Sequence, residues 1–227
     1  MDKKGKIIKE KLSPENFLSQ FSHKKTSLKP SNLSLTTSHV SDAMRNITHQ
    51  NGVLEGLKPV KNSFKIMGKA ITVKTSAYDW GTVIKGIYSA EKGDILVICC
   101  DNDNTAVWGE MASNTAQIQR LGGTVIYGAS RDITGVKKVG YPVFSRNVIP
   151  NAGKPLAEGN INIPIICGET TIYPGDLIVG DECGVVSVPY EIVDKVLKEA
   201  YKIFVNEEDL VFQLQNGKSF LDILDKY

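Results

Sequence analysis

The chain has 227 residues, 41% of them apolar and 23% charged, with a formal net charge of +2. That length can bury a sizeable core without staples, and that balance excludes an intrinsically disordered chain and a fibrous repeat. Apart from the N-terminal Lys3-Lys4-Gly5-Lys6 and Lys24-Lys25 the lysines are scattered, so a polyanion-binding face has weak support and no nucleic-acid partner is expected.

Residues 1 to 30 form a lysine-rich lead in which Ser13-Pro14-Glu15 opens a short helical pattern with Phe17, Leu18 and Phe21; it reads as an appended helix. Ser38-His39-Val40-Ser41-Asp42-Ala43-Met44 starts a capped helix, and a loop punctuated by Gly52, Gly56 and Pro59 follows. The apolar run Ile66 to Val73 predicts a strand interrupted at Gly68. From Asp79 to Ala90 the residues Trp80, Val83, Ile84, Ile87 and Tyr88 recur at helical spacing, and Lys92-Gly93-Asp94 ends that helix. Ile95 to Cys100 is continuously apolar, the mark of a central strand buried on both faces.

A polar loop, Asp101 to Val107, leads into Trp108-Gly109-Glu110 and a helix carrying Met111, Thr115, Ile118 and Leu121, which stops at Gly122-Gly123. Thr124 to Tyr127 is the next strand, and it runs directly into Gly128-Ala129-Ser130-Arg131-Asp132-Ile133-Thr134-Gly135. Beyond this the chain is β-rich, with Tyr141 to Phe144, Ile161 to Ile166, Thr171-Ile172, Leu177 to Val179 and Val185 to Val188 separated by Pro/Gly/Asp turns. An amphipathic region, Tyr190 to Leu210, and a short helix around Phe220-Leu221 close the sequence.

No stretch approaches 18 apolar residues, and the N-terminus MDKKGKIIKEKL is charged throughout, so no membrane partner is expected and cytoplasmic residence follows by default. The four cysteines, Cys99, Cys100, Cys167 and Cys183, lack CxxC spacing and read as reduced thiols. GxGxxG, Walker A and GxSxG patterns are absent, which argues against dinucleotide, nucleoside triphosphate and α/β-hydrolase chemistry.

The segment from Ile95 to Asp132 is a strand, loop, helix, glycine turn and strand, which a right-handed crossover turns into two parallel neighbours. A helix of roughly 12 residues descends about 18 Å and a strand of about 5 residues climbs back roughly 17 Å. Glu110 and Arg131-Asp132 are thereby expected at one sheet edge, where open α/β sheets bind ligands. The first helical turn, with the N–H groups of Met111 and Ala112, suits a carboxylate or phosphate. Arg131 adds a planar fork of donors, and Asp132, with Glu110 acting through water, suits a hard cation such as Mg²⁺. Other polar residues have simpler readings: His23, His39 and His49 as structural or surface groups, Ser41-Asp42 as a helix cap, Asp176 and Asp181 as turn residues.

The block Trp108 to Ala112, then Gly122 to Gly128, then Arg131-Asp132 resembles the 4-hydroxy-4-methyl-2-oxoglutarate aldolases and their relatives, the regulators of ribonuclease activity A. Glu110, twenty intervening residues and Arg131-Asp132 match that family's acidic-x20-Arg-Asp pattern. Val40 to Met44, Gly56 to Val60, Gly93 to Val97 and Pro174 to Asp181 with Gly184 to Val186 extend the resemblance, in order, over residues 31 to 200. It implies an α/β chain with a swivelling-type β/β/α domain, a central β-α-β unit and a β-rich C-terminal half, flanked by an N-terminal extension (1–30) and a C-terminal helical tail (201–227).

The activity it implies is that of a class II pyruvate aldolase using Mg²⁺ or Mn²⁺, a homotrimer or hexamer acting on a small 2-oxo acid, with oxaloacetate decarboxylation through the same enolate. By position, Gly109, Glu110, Met111 and Ala112 would bind the pyruvyl carboxylate, and Arg131 the substrate oxygens. Asp132 would hold the metal, and Glu110 would orient a water on it. Arg131 is thus assigned to the substrate and Asp132 to the metal, so their adjacency need not be a mutual salt bridge. The resemblance also leaves a second class of function, a protein-binding trimer that regulates a ribonuclease without turnover. Where many aldolase-type relatives carry an acidic residue three positions after the aspartate, this chain has Gly135.

Overall fold

The computed structural model describes residues 35–224; the appended helix expected near Phe17 lies outside them. Four strands form a parallel centre in the order β2 (Ile66–Thr75), β3 (Ile95–Cys100), β5 (Gly123–Ser130) and β6 (Val143–Val148). Three helices join them in turn: α2 (Gly81–Ser89), α3 (Glu110–Ile118) and α4 (Ile133–Val139). The predicted β3-α3-β5 unit is therefore the middle of three successive β-α-β units.

All six residues of β3 are buried, as their unbroken apolar run demands. β2 runs straight through Gly68 rather than breaking there. A Cβ at 68 would lie 2.5 Å from the Gly93 carbonyl oxygen, so the glycine permits a close approach of chains and does not end the strand.

Antiparallel strands flank this centre. β10 (Leu177–Asp181) pairs with β2 and β11 (Gly184–Val188) with β10, while β1 (Lys58–Pro59) pairs with β6 at the opposite edge. Residues 53 to 59 nearly join the two edges: Val53 bridges to Val186, Leu54 N–H donates to the Val185 carbonyl at 2.9 Å, and the chain then enters β1. The enclosed face packs Leu57, Val97, Val125, Phe144, Ile178 and Val185 into one core. Two-residue β7 (Asn160–Ile161) pairs with β2, and the β8 (Ile165–Cys167) and β9 (Thr170–Ile172) hairpin adds Ile165 and Ile172 to that core.

Ile87, Leu96, Ile98, Ala116, Ile126 and Val136 fill a second core beneath α2, α3 and α4. A third lies where α1 (Thr37–Thr48) and the start of α5 (Val193–Gln215) cover β10 and β11.

Thr36, not Ser41 or Asp42, caps α1. His39 Nδ1 accepts from Thr36 N–H at 3.0 Å and Nε2 reaches Glu207 of α5 at 2.8 Å, so this buried histidine is a structural bridge. Asp42 instead pairs with Arg45 on the exposed face. Residue 200 falls within the continuous α5, and α6 (Phe220–Leu224) follows it. Among the described residues no helix is long and apolar enough to cross a membrane.

Candidate active site

The adjacency of Glu110 to Arg131-Asp132 comes from a short strand that begins inside the stretch whose sequence is that of a polar loop. β4 (Ala106–Trp108) runs parallel to the end of β5, placing Trp108 opposite Ser130, and the Arg131 N–H donates to the Trp108 carbonyl at 2.9 Å. The helix and strand are 9 and 8 residues, about 13.5 Å and about 26 Å, so the predicted cancellation of a 12-residue helix against a 5-residue strand does not hold. β4 supplies the missing rise before α3 begins.

Trp108 pins this corner. Its ring is 2% exposed and stacks on Tyr141 with centroids 6.1 Å apart, and its Nε1–H donates to Ser113 Oγ at 2.8 Å. Burying an aromatic of this size contributes roughly 4 kcal/mol by area. Ser113 Oγ in turn donates to the Gly109 carbonyl at 3.0 Å, fixing the residue from which α3 starts. Gly109 is extended (φ −164°, ψ −160°) and provides no side-chain cap, so the N–H groups of Glu110, Met111 and Ala112 face outward from the first turn.

On the other side of the site β5 passes into α4 through Asp132, which adopts the left-handed conformation (φ 55°, ψ 40°) as the helix N-cap. A non-glycine residue there is uncommon, and aspartate is among the residue types that tolerate it. The turn lays the Asp132 carboxylate against Gly109, where an added Cβ would lie 2.5 Å from Oδ2. Arg131 and Asp132 touch: Nε and Oδ2 are 3.4 Å apart, with the two side chains 42% and 45% exposed. At that length and exposure the pair is weak and open to exchange for other partners.

Glu110 is exposed and leans the other way, onto α4 at Gly135. The structure thus gathers all six site residues at the carboxyl end of β5: Gly109, Glu110, Met111 and Ala112 at the start of α3, with Arg131 and Asp132 facing them. α4 itself was not predicted. Its signals were faint, a Lys137-Lys138 pair in the last turn and Gly140 as a left-handed C-cap.

Cys100, at the end of β3, is pushed up to about 12 by burial, with Cys99, Asp101 and Asp79 adding to the shift. Of the other candidates, His49 caps the end of α1 with φ 61°, and His23 lies outside the described residues. Asp181 accepts from Thr37 N–H and Oγ1–H at 2.8 and 2.7 Å, and Asp176 from the N–H groups of Tyr173 and Tyr190 at 2.8 and 3.1 Å. Both are structural acceptors.

Among the described residues no cluster of three or more His, Cys, Asp and Glu side chains forms a metal cage. The donor set at the site, Asp132 with Glu110 nearby, suits a hard ion that keeps most of its waters and takes one or two carboxylates, which fits Mg²⁺ or Mn²⁺ and not Zn²⁺.

The profile of the RraA-like family (Aldolase/RraA) matches residues 37–187. An uncharacterized protein of Methanocaldococcus jannaschii is 40% identical over 175 residues, covering 76% of this chain and 84% of that one. A Halalkalibacterium halodurans protein provisionally named a 4-hydroxy-4-methyl-2-oxoglutarate aldolase is 36% identical, covering 77% of this chain and 82% of its own. The solved structure of a Streptomyces coelicolor member of the RNase ES inhibitor RraA protein family superposes with a TM-score of 0.69 over 79% of this chain and 93% of the other. At 21% identity it bears on the fold alone. With the matched segment spanning the whole β-α-β array together with β1, β10 and β11 up to Ser187, the chain belongs to the RraA-like family.

Proposed function

We propose that the protein is a divalent-metal-dependent lyase that cleaves a 4-hydroxy-2-oxo acid of the 4-hydroxy-4-methyl-2-oxoglutarate type to pyruvate and also decarboxylates oxaloacetate. The observation that carries the reading is the convergence of the open first turn of α3, the Arg131 guanidinium and the Asp132 carboxylate around Gly109. An anion site, a cation and a hard-metal ligand are what a chelating 2-oxo acid requires.

Asp132 would hold Mg²⁺ or Mn²⁺, and Glu110 would act on its water shell rather than on the ion itself. The cation supplies Lewis-acid polarisation of the keto group. The N–H groups of Glu110, Met111 and Ala112 receive the substrate carboxylate, aided by the helix dipole. Arg131 exchanges its weak contact with Asp132 for the substrate oxygens and stands beside the oxygen on which enolate charge develops. In the aldol cleavage the C4 hydroxyl loses its proton to a water oriented by Glu110, and the electron pair of the breaking C3–C4 bond passes into the pyruvate enolate. In oxaloacetate the bond to the departing carboxylate supplies the same pair, carbon dioxide leaves, and protonation of the enolate gives pyruvate.

The half-exposed Arg131 and Asp132 and the 78%-exposed Met111 leave the site open to solvent. Assembly as a homotrimer or hexamer would cover it. Pyruvate release from 4-hydroxy-4-methyl-2-oxoglutarate and from oxaloacetate, measured with Mg²⁺ and with EDTA, tests the proposal. The expected result is metal-dependent turnover that Arg131→Ala reduces at least about 100-fold. An absence of turnover on both substrates with metal would turn the assignment toward a regulator acting by protein contact.

A further inference from the structure

Gly135 lies in the first turn of α4, and its backbone is not in the left-handed region, so nothing in its conformation calls for glycine. Alanine would be the better helix former there. What glycine provides is space. A Cβ added at 135 would overlap Glu110 Oε2 and fall 2.5 Å from its Cδ and 2.8 Å from its Cγ. Three consecutive atoms of the glutamate therefore rest on the glycine, and the whole end of the side chain lies flat against α4.

Glu110 sits there without a hydrogen-bond or ion-pair partner for its carboxylate among the described residues; its backbone carbonyl accepts from Asn114. The helices α3 and α4 run side by side, with Gln117 Nε2 donating to the Val139 carbonyl at 3.2 Å farther along. The carboxylate thus lies between two helix starts, apart from Arg131, whose acidic contact is Asp132.

We infer that Gly135 is a positioning residue for Glu110. By having no side chain it admits the glutamate onto α4, so the acid that a side chain at 135 would otherwise place beside Asp132 is delivered from α3. The same arrangement leaves the Arg131 guanidinium for the substrate. The consequence for metal binding and turnover rests on the proposed 2-oxo acid chemistry; the steric claim does not.

Glu110 is exposed, so Gly135→Ala turns a surface side chain aside without breaking the fold. The test is a double-mutant cycle of Gly135→Ala and Glu110→Ala, read first by thermal unfolding of the metal-free protein. Alanine at 135 should raise the midpoint more in the Glu110→Ala background than in the wild type, because only the wild type must expel the glutamate. Equal shifts in the two backgrounds would overturn the inference, whatever the protein's activity.

The second reading is Mn²⁺ uptake, followed by the loss of the free-ion electron paramagnetic resonance signal, with kcat and KM for oxaloacetate alongside. Gly135→Ala should weaken Mn²⁺ binding or lower kcat about 10-fold, and the same substitution should change neither in the Glu110→Ala background. Wild-type values in Gly135→Ala, or an undiminished effect without Glu110, would overturn the positioning role. If the wild type takes up no Mn²⁺, the proposed function fails, and the unfolding cycle alone decides whether Gly135 accommodates Glu110.

Discussion

Asp79 offers the sharpest test of how the carboxyl edge of the sheet is held. It is 2% exposed, and it joins the end of β2, the start of α2 and the segment before β7. Oδ1 accepts from the N–H groups of Gly81, Thr82 and Ala157 at 2.9, 3.3 and 2.8 Å. Oδ2 accepts from Thr82 Oγ1, Thr75 Oγ1 and the Glu158 N–H at 2.6, 3.1 and 3.0 Å. Burial alone would raise the carboxyl pKa, but the bonds from Thr82, Ala157 and Glu158 outweigh it and hold the group well below the usual carboxylate range.

In Asp79→Asn the remaining oxygen is best kept at Oδ1, facing three fixed N–H donors. The amide nitrogen then meets two hydroxyls that can rotate to accept, and the Glu158 N–H, which cannot. One donor loses its acceptor at about 1–3 kcal/mol, and the three surviving N–H bonds each lose about 1 kcal/mol of charge assistance. The sum, about 4–6 kcal/mol, corresponds to a fall of roughly 10–20 °C in Tm for a chain of this size. Because the folded pKa lies below the unfolded one, the ionised group's contribution is complete above about pH 4 and is lost as pH falls through the folded value. Circular dichroism melts of wild type and variant should therefore show a wide gap at pH 7 that narrows progressively below about pH 4. A gap under about 2 °C at pH 7, or one that stays constant into acid, would refute this account.

Two further outcomes follow from the site and its surroundings. Gly109→Ala keeps an extended backbone that alanine adopts freely, so Tm should stay within about 2 °C, while the new Cβ, 2.5 Å from Asp132 Oδ2, displaces that carboxylate and lowers pyruvate release from oxaloacetate at least about 10-fold. Wild-type turnover in this variant would remove Asp132's placement from the mechanism. Of the four cysteines only Cys183 is exposed, so an aromatic disulfide reagent should titrate one thiol quickly in the native protein and four in denaturant. Cys99, lowered chiefly by its hydrogen bond with Cys167, should react next, and Cys100, raised by burial, should lag; two or more fast native thiols would contradict the burial of β3.

The strands that could be read from sequence were those whose pattern is set by burial on both faces. Ile95 to Cys100 is apolar because each residue meets a core, and that signal needs no knowledge of its neighbours. β4 and α4 lacked such a signal. β4 is three residues long and follows a polar loop, and α4 begins on a left-handed aspartate with no capping side chain, seven residues from end to end. Gly68 looks like a break in sequence because a glycine in a strand has the same pattern whether it ends the strand or admits the turn at Gly93.

The candidate site shows the same divide. Its charged members were visible because Glu110 and Arg131-Asp132 lie at a spacing that one crossover brings together, even though β4, and not the lengths assumed, produces the meeting. Where each carboxylate leans was not visible, since that depends on atoms that are absent. Asp132 rests on Gly109 and Glu110 on Gly135, one carboxylate to each glycine. A glycine in sequence advertises backbone freedom, yet neither of these two uses it, for Gly109 is extended and Gly135 helical. Their contribution is steric: each vacated Cβ position sets the direction of an acid on the facing helix start, and so sets how far apart the two negative charges stand around Arg131.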